Sequence, residues 1–238
     1  MERYQVAART GEARFGTSRE RESANANDIL WITYRWMSVG LAITGIVAWL
    51  VAHSSGALEL VVNNRAIFWG LTLAQLGFVF AFSSVVTRVS TAAAAAMFFS
   101  YAALTGVTFS VIFLVFTAGS IASTFFVTAG TFAGLSVFGA VTKRDLSVVG
   151  RFALFALLGL IIASVVNIFL ASPALMWLSS YAGILIFAAL TAYDTQQLKQ
   201  LYATQGDTGN LALRGALKLY LDFINMFIYL LNLFGRRR

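Results

Sequence analysis

Two aspartates stand in apolar surroundings that have no use for a charge. Asp194 ends the run Ile184-Leu185-Ile186-Phe187-Ala188-Ala189-Leu190-Thr191-Ala192-Tyr193, and Asp222 lies between Leu221 and Phe223 in the hydrophobic stretch that closes the chain. Hydrocarbon cannot solvate a carboxylate, and a charge at helix-centre depth costs about 3 kcal/mol or more, so an ionisable group there is a functional hypothesis by default. Asn225, Tyr229 and Asn232 follow Asp222 at offsets of three, seven and ten. At helical spacing these four polar groups share one stripe roughly a quarter-turn wide. The remaining faces are Leu, Ile, Phe and Met, so the stripe must look onto protein or water inside a bundle.

If the two carboxylates meet, repulsion and poor solvation favour one proton held between them, which would couple their geometry to pH. Arg88, at the inner end of the second span, is placed to pair with whichever carboxylate is ionised.

The elements that must position these groups are membrane helices. The chain is 59% hydrophobic and 11% charged, against roughly 25% charged in a soluble domain. Its mean hydropathy is +0.78. Phe and Gly abound, Pro occurs once and no strand-like alternation is present, which points to an all-α polytopic membrane protein rather than a barrel. Cysteine is absent, so disulfides and thiolate metal sites are excluded. No dinucleotide, ATP or His/Cys metal motif is present; no cofactor and no enzymatic activity are expected.

Residues 1–28 hold five Arg and five acidic residues and read as a mobile charged tail ahead of a membrane domain at 29–238. This tail has no apolar core of the kind a secretory signal needs, so the first span is expected to be retained. Uncharged intervals at 36–58, 66–87, 89–142 and 152–193 give six spans. The two long intervals each hold a pair, with breaks near Thr117–Ser120 and at Ala171-Ser172-Pro173. With a seventh, the expected spans are 31–53, 66–86, 92–116, 120–141, 148–170, 174–194 and 215–235. The last must include Lys218 and Asp222, and a re-entrant helix is the alternative.

Placing the amino terminus inside puts thirteen Lys and Arg on inner segments and only Arg65 on outer loops. The net charge of +7 is thus an orientation signal rather than a nucleic-acid footprint. The terminal Arg236–Arg238 oppose it, which favours the re-entrant alternative. Other polar and small residues have plainer readings. His53 is interfacial, Gln75 and Asn167 are interhelical hydrogen-bond partners, Gly130 and Gly134 mark close helix packing, and Trp31, Trp36, Trp49 and Trp177 are interface anchors.

Three stretches in order, Phe138-Gly139-Ala140-Val141-Thr142-Lys143-Arg144-Asp145-Leu146-Ser147, Ala192-Tyr193-Asp194-Thr195-Gln196 and Leu219-Tyr220-Leu221-Asp222-Phe223-Ile224-Asn225, resemble the signature segments of the transmembrane Bax inhibitor motif (Bax inhibitor-1-like) family in its bacterial form. The resemblance implies seven helices, with a central last helix wrapped by two three-helix layers. It also implies a pH-responsive calcium leak in a bacterial inner membrane, with Asp194 and Asp222 as a hydrogen-bonded pair and Arg88 as a latch. Calcium, which prefers carboxylate, carbonyl and water oxygens, would then follow a path along Asp222, Asn225, Tyr229 and Asn232, with Asp194 and Asp222 a weak calcium site at most. Two other functions compete with the leak. An interaction protein that restrains a membrane protease or cell-death factor would survive neutralisation of both aspartates. An intramembrane aspartyl protease would need a glycine-rich motif directly before Asp222, where Lys218-Leu219-Tyr220-Leu221 stand instead.

Overall fold

A backbone in hydrocarbon must satisfy its own hydrogen bonds, so each apolar run closes into a helix. The computed structural model describes residues 2–205 and 209–238, with side chains from residue 26 onward. Among them are nine helices: α1 (Glu2–Ala52), α2 (Ser55–Asn63), α3 (Arg65–Val85), α4 (Thr91–Phe109), α5 (Ile112–Val115), α6 (Ala118–Val141), α7 (Ser147–Leu170), α8 (Pro173–Gln205) and α9 (Gly209–Phe234). Seven segments are long and apolar enough to cross a membrane: Ala26–Ala52 of α1, α3, Thr91–Val115 across α4 and α5, α6, α7, α8 and α9. The charged segment ahead of Ala26, read from composition as a tail, is helical backbone continuous with α1; Ala, Arg and Glu are strong helix formers.

Local chemistry sets the breaks. Asn64 Oδ1 accepts from the amides of Ala66 and Ile67 to start α3, and the Ser90 and Thr117 hydroxyls accept from Ala93 and Ser120 to start α4 and α6. Ala171 takes a left-handed conformation, φ 45°, between the end of α7 and Pro173.

One boundary differs from expectation. The sixth span was expected to end at Asp194, but α8 continues to Gln205. Charge-counting stops at the first ionised residue, whereas this extension is amphipathic and buries Leu198 and Tyr202, one turn apart. The last helix is the continuous seventh span that was expected, and not the re-entrant alternative. Its 26 residues reach about 39 Å at 1.5 Å each, more than the ~30 Å hydrocarbon core. At its start, Asn210 Nδ2 donates to the carbonyls of Val86 and Val89, at 2.9 and 2.7 Å, in the α3–α4 turn. At its far end, Thr117 N donates to Arg236 O at 3.0 Å and Arg238 N to Val115 O at 3.0 Å, pinning the basic terminus to the α5–α6 turn. The two ends therefore lie on opposite faces.

The α9 helix is buried on nearly every side, from Leu211 through Leu231. It packs against α1, α4, α6 and α8, while α3 rests on α4 and α7 on α8. Polar ties run between these apolar faces. Tyr220 of α9 meets Thr44 of α1 at 2.6 Å, and Thr44 Oγ1 also lies 2.9 Å from Ala102 O of α4. Because the Thr44 proton faces carbonyl oxygens, the Tyr220 hydroxyl is the donor. Phe98 and Tyr101 flank the Tyr220 ring edge-on at 5.8 and 5.9 Å. Tyr220→Phe keeps those ring contacts and removes one buried hydrogen bond, so it is expected to cost about 1 kcal/mol, read as a lowered melting temperature in detergent.

The smaller expectations divide. Gln75 donates to Thr108 of the neighbouring helix at 3.1 Å, as an interhelical partner should. Asn167 instead accepts from Ser172 N at 2.9 Å and caps the end of its own helix. Gly130 and Gly134 have nothing near them, because α6 turns Thr128, Phe132, Ser136 and Gly139 inward and leaves both glycines outside. Trp31, Trp49 and Trp177 are exposed, and half-buried Trp36 packs on Phe99 at 5.6 Å.

Candidate functional site

Asp194 and Asp222 sit on the antiparallel pair α8 and α9, and the pair's register brings them level. Their carboxyl groups face each other within hydrogen-bonding range. Both are buried, at 3% and 5% exposure, and Asp222 Oδ2 has no protein donor. A buried carboxyl oxygen without a donor is costly, so this arrangement persists only where something else offsets it.

The offsetting charge is Lys218, one turn before Asp222 on the same helix. Its Nζ lies 2.8 Å from Asp194 Oδ1. The ammonium also donates to Gln197 Oε1 at 2.6 Å. It also stands over the Tyr193 ring at 5.6 Å. Lys218 is 40% exposed, and its ammonium is held between Asp194 of α8 and Gln197. Two carboxyl groups and one ammonium make an electrically neutral set when they hold a single proton between them.

Close backbone approach fixes this region of α8. Gly139 of α6 lies against the Ala192 carbonyl, and Gly150 of α7 against the Tyr193 ring; a Cβ at either position would collide. Gln196 completes the clamp: its Oε1 accepts from Leu146 N at 2.9 Å and its Nε2 donates to Arg144 O at 2.8 Å. The residues on either side of Asp194 are thus held by two neighbouring helices and their connecting turn.

The remaining candidates are distributed unevenly. Arg88 is exposed in the α3–α4 turn and makes no ion pair with a described residue. That turn is bonded to Asn210, twelve residues before Asp222, or about 18 Å along α9. Asn225 turns its amide back to Leu221 O at 2.8 Å. The Tyr229 ring stacks on Phe187 at 6.0 Å and fills the space that Gly183 leaves open, with Ser164 at its hydroxyl. Asn232 is half-buried beyond it. The stripe is therefore plugged by packed side chains. No cluster of three or more His, Cys, Asp or Glu occurs among the described residues, so the only acidic oxygens at this site come from the two aspartates.

Lys218 was legible only as an orientation charge, although its position four residues before Asp222 is the spacing of an intrahelical pair. Gly139 and Gly150 carried no signal of their own, since a helix glycine shows its role only once its neighbour is known.

A family model described as inhibitor of apoptosis-promoting Bax1 matches residues 26–238, beginning where the first span begins. The Escherichia coli K12 protein named inner membrane protein YbhL is 49% identical over 210 residues, 86% of this chain and 90% of that protein. A Deinococcus radiodurans protein is 48% identical over 209 residues, covering 86% and 89% of the two chains. A Borreliella burgdorferi protein is 41% identical over 226 residues, covering 93% and 97%. The matched region contains all seven candidate spans and both aspartates, and the chain belongs to the Bax inhibitor-1-like family of integral membrane proteins.

Proposed function

We propose that the chain is a pH-sensitive calcium leak of the bacterial inner membrane, gated by Asp194, Asp222 and Lys218. One observation carries the reading: two buried carboxyl groups face each other across α8 and α9, with one ammonium as their counter-ion. The pair holds one proton in the closed state. Lys218 takes the latching role that the resemblance implied for Arg88, because Lys218 reaches Asp194 and the Arg88 turn is tied to the distant end of α9.

Protonation of Asp194 cancels its attraction for Lys218. The ammonium moves fully to the interface, and α9 loses its one ionic link to α8 among the described residues. The balance between packings of α9 then shifts, since a ligand or proton moves an equilibrium by its difference in affinity for the two states. In the open packing Tyr229 leaves the Gly183 recess, and water follows the stripe of Asp222, Asn225, Tyr229 and Asn232. Calcium passes by exchanging hydration oxygens for amide, hydroxyl and carboxyl oxygens that bind it weakly enough to release it. The face carrying Arg88, Lys143 and Arg144 is cytoplasmic on this reading, by the excess of Lys and Arg there.

The test is calcium uptake into liposomes containing the purified full-length chain, followed across a pH series. Flux above that of empty liposomes, rising as pH falls, is the expected result. A chain that passes no more calcium than empty liposomes at any pH overturns the leak, and the function then lies with a membrane protein partner such as a protease.

A further inference from the structure

On the side of α9 away from the aspartates, α1 and α6 do not close against each other. They leave a cleft of about 1060 Å³ that runs from Asn27 and Ala140 at one face to Ala48 and Ala118 at the other, floored by Phe223 and Phe227 of α9. Its walls are almost wholly apolar, and at this depth it opens towards hydrocarbon. At the Ala140 end it shares a wall with a second cavity of about 440 Å³, in the α6–α7 turn, lined by Lys143, Arg144, Asp145 and Lys199. Hydrogen bonds from Ser147 hold the Asp145 carboxyl below the usual carboxylate range, so it stays ionised at neutral pH. Three cations and one anion leave this second cavity with a net charge of two positive units. Ser136, one turn from Ala140, lines the apolar cleft; it is 5% exposed and its hydroxyl has no partner.

We infer that cleft and basic cavity together bind one anionic phospholipid, with the phosphate among Lys143, Arg144 and Lys199 and the acyl chains between α1 and α6. Charge selects the occupant. A transmembrane helix of a partner or a second copy would fill the apolar cleft but leave the adjoining cations without a counter-charge, whereas an anionic lipid satisfies both ends at once. Ser136, which lines the cleft, lies a turn below the cations, at the depth of the ester carbonyls. Lys199 already donates to Ala140 O at 2.9 Å, which holds its ammonium at the junction of the two spaces.

The experiment is native mass spectrometry of the full-length chain released from detergent with equal amounts of phosphatidylglycerol and phosphatidylcholine of the same acyl chains. The native chain is expected to retain phosphatidylglycerol several-fold over phosphatidylcholine. The double variant Lys143→Gln/Arg144→Gln should lose that preference, and Ala133→Phe, which adds a ring to an exposed position in the cleft, should lower retention of both lipids. All three positions are exposed, and melting temperatures near the native value establish that the variants are folded. Glycerol phosphate without acyl chains should not displace the bound lipid. Equal retention of the two lipids by the native chain, an unchanged preference in the charge variant, or displacement by glycerol phosphate overturns the inference. Ala133→Phe reducing a dimer population while leaving lipid retention intact also overturns it, and assigns the cleft to a second copy.

Discussion

Asp194→Asn is expected to raise calcium flux at neutral pH roughly five- to tenfold and to leave that flux flat across the pH range where the native chain responds. The amide has the shape of a protonated Asp194, so the variant should occupy at every pH the state that the native chain reaches only in acid. Its effect is bounded by the worth of the ion pair to Lys218. Removing one partner of a fully buried pair costs about 3–5 kcal/mol, but Lys218 is 40% exposed. Solvent screening therefore brings the figure down towards the ~1 kcal/mol of exposed pairs. About 1.4 kcal/mol is a factor of ten in a population, which sets the expected range. Lys218→Met removes the same attraction from the other side and should give a similarly raised flux at neutral pH. Asp222→Asn should behave differently: its amide still donates to Asp194, as a protonated Asp222 would, and Lys218 keeps its partner, so neutral flux stays near the native value. Equal pH profiles for Asp194→Asn and the native chain would remove the pair from the gate.

This asymmetry between the aspartates was beyond the reach of the sequence. The spacing of Asp222, Asn225, Tyr229 and Asn232 told which face of the last helix is polar, and the uncharged intervals told how many spans there are. Asp222 was conspicuous because its neighbours on both sides are apolar. What single-chain patterns could not supply is register between helices. The level meeting of Asp194 with Asp222 depends on how α8 pairs with α9, and the contact of Asp194 with Lys218 rather than Arg88 depends on the same register. Rules that count charges also truncate helices at the first ionised residue, which is why α8 was expected to stop at Asp194 when eleven further residues continue it to Gln205. The expected close packing at Gly130 and Gly134 failed for a related reason. Spacing identifies small residues on one face of α6 but not which face turns inward, and the inward one carries Gly139.

Gly139→Leu is expected to be the most destabilising single substitution near the site. A Cβ at position 139 meets the backbone carbonyl of Ala192, and backbone in a helix cannot rotate away as a side chain can. Relief requires α6 and α8 to part. Overpacking costs typically 1–3 kcal/mol and occasionally more, and here separation also stretches the bonds of Gln196 to Leu146 and Arg144 and that of Lys199 to Ala140. A loss of about 3 kcal/mol or more follows, seen as a fall of several degrees in the melting temperature in detergent. Gly134→Leu on the same helix supplies the control. Nothing lies within 4 Å of the added Cβ there, so its stability should stay within about 0.5 kcal/mol of native. Equal melting temperatures for the two variants would show that the Gly139 contact does not hold α6 to α8. If the contact does hold, its consequence reaches the gate, because Ala192 is two residues from Asp194 and a displaced α8 carries that carboxyl away from Asp222. Gly139→Ala, the smallest step along the same axis, should therefore weaken the pH response of calcium flux while the chain still folds. That would separate the placing of the carboxyls from the stability of the bundle.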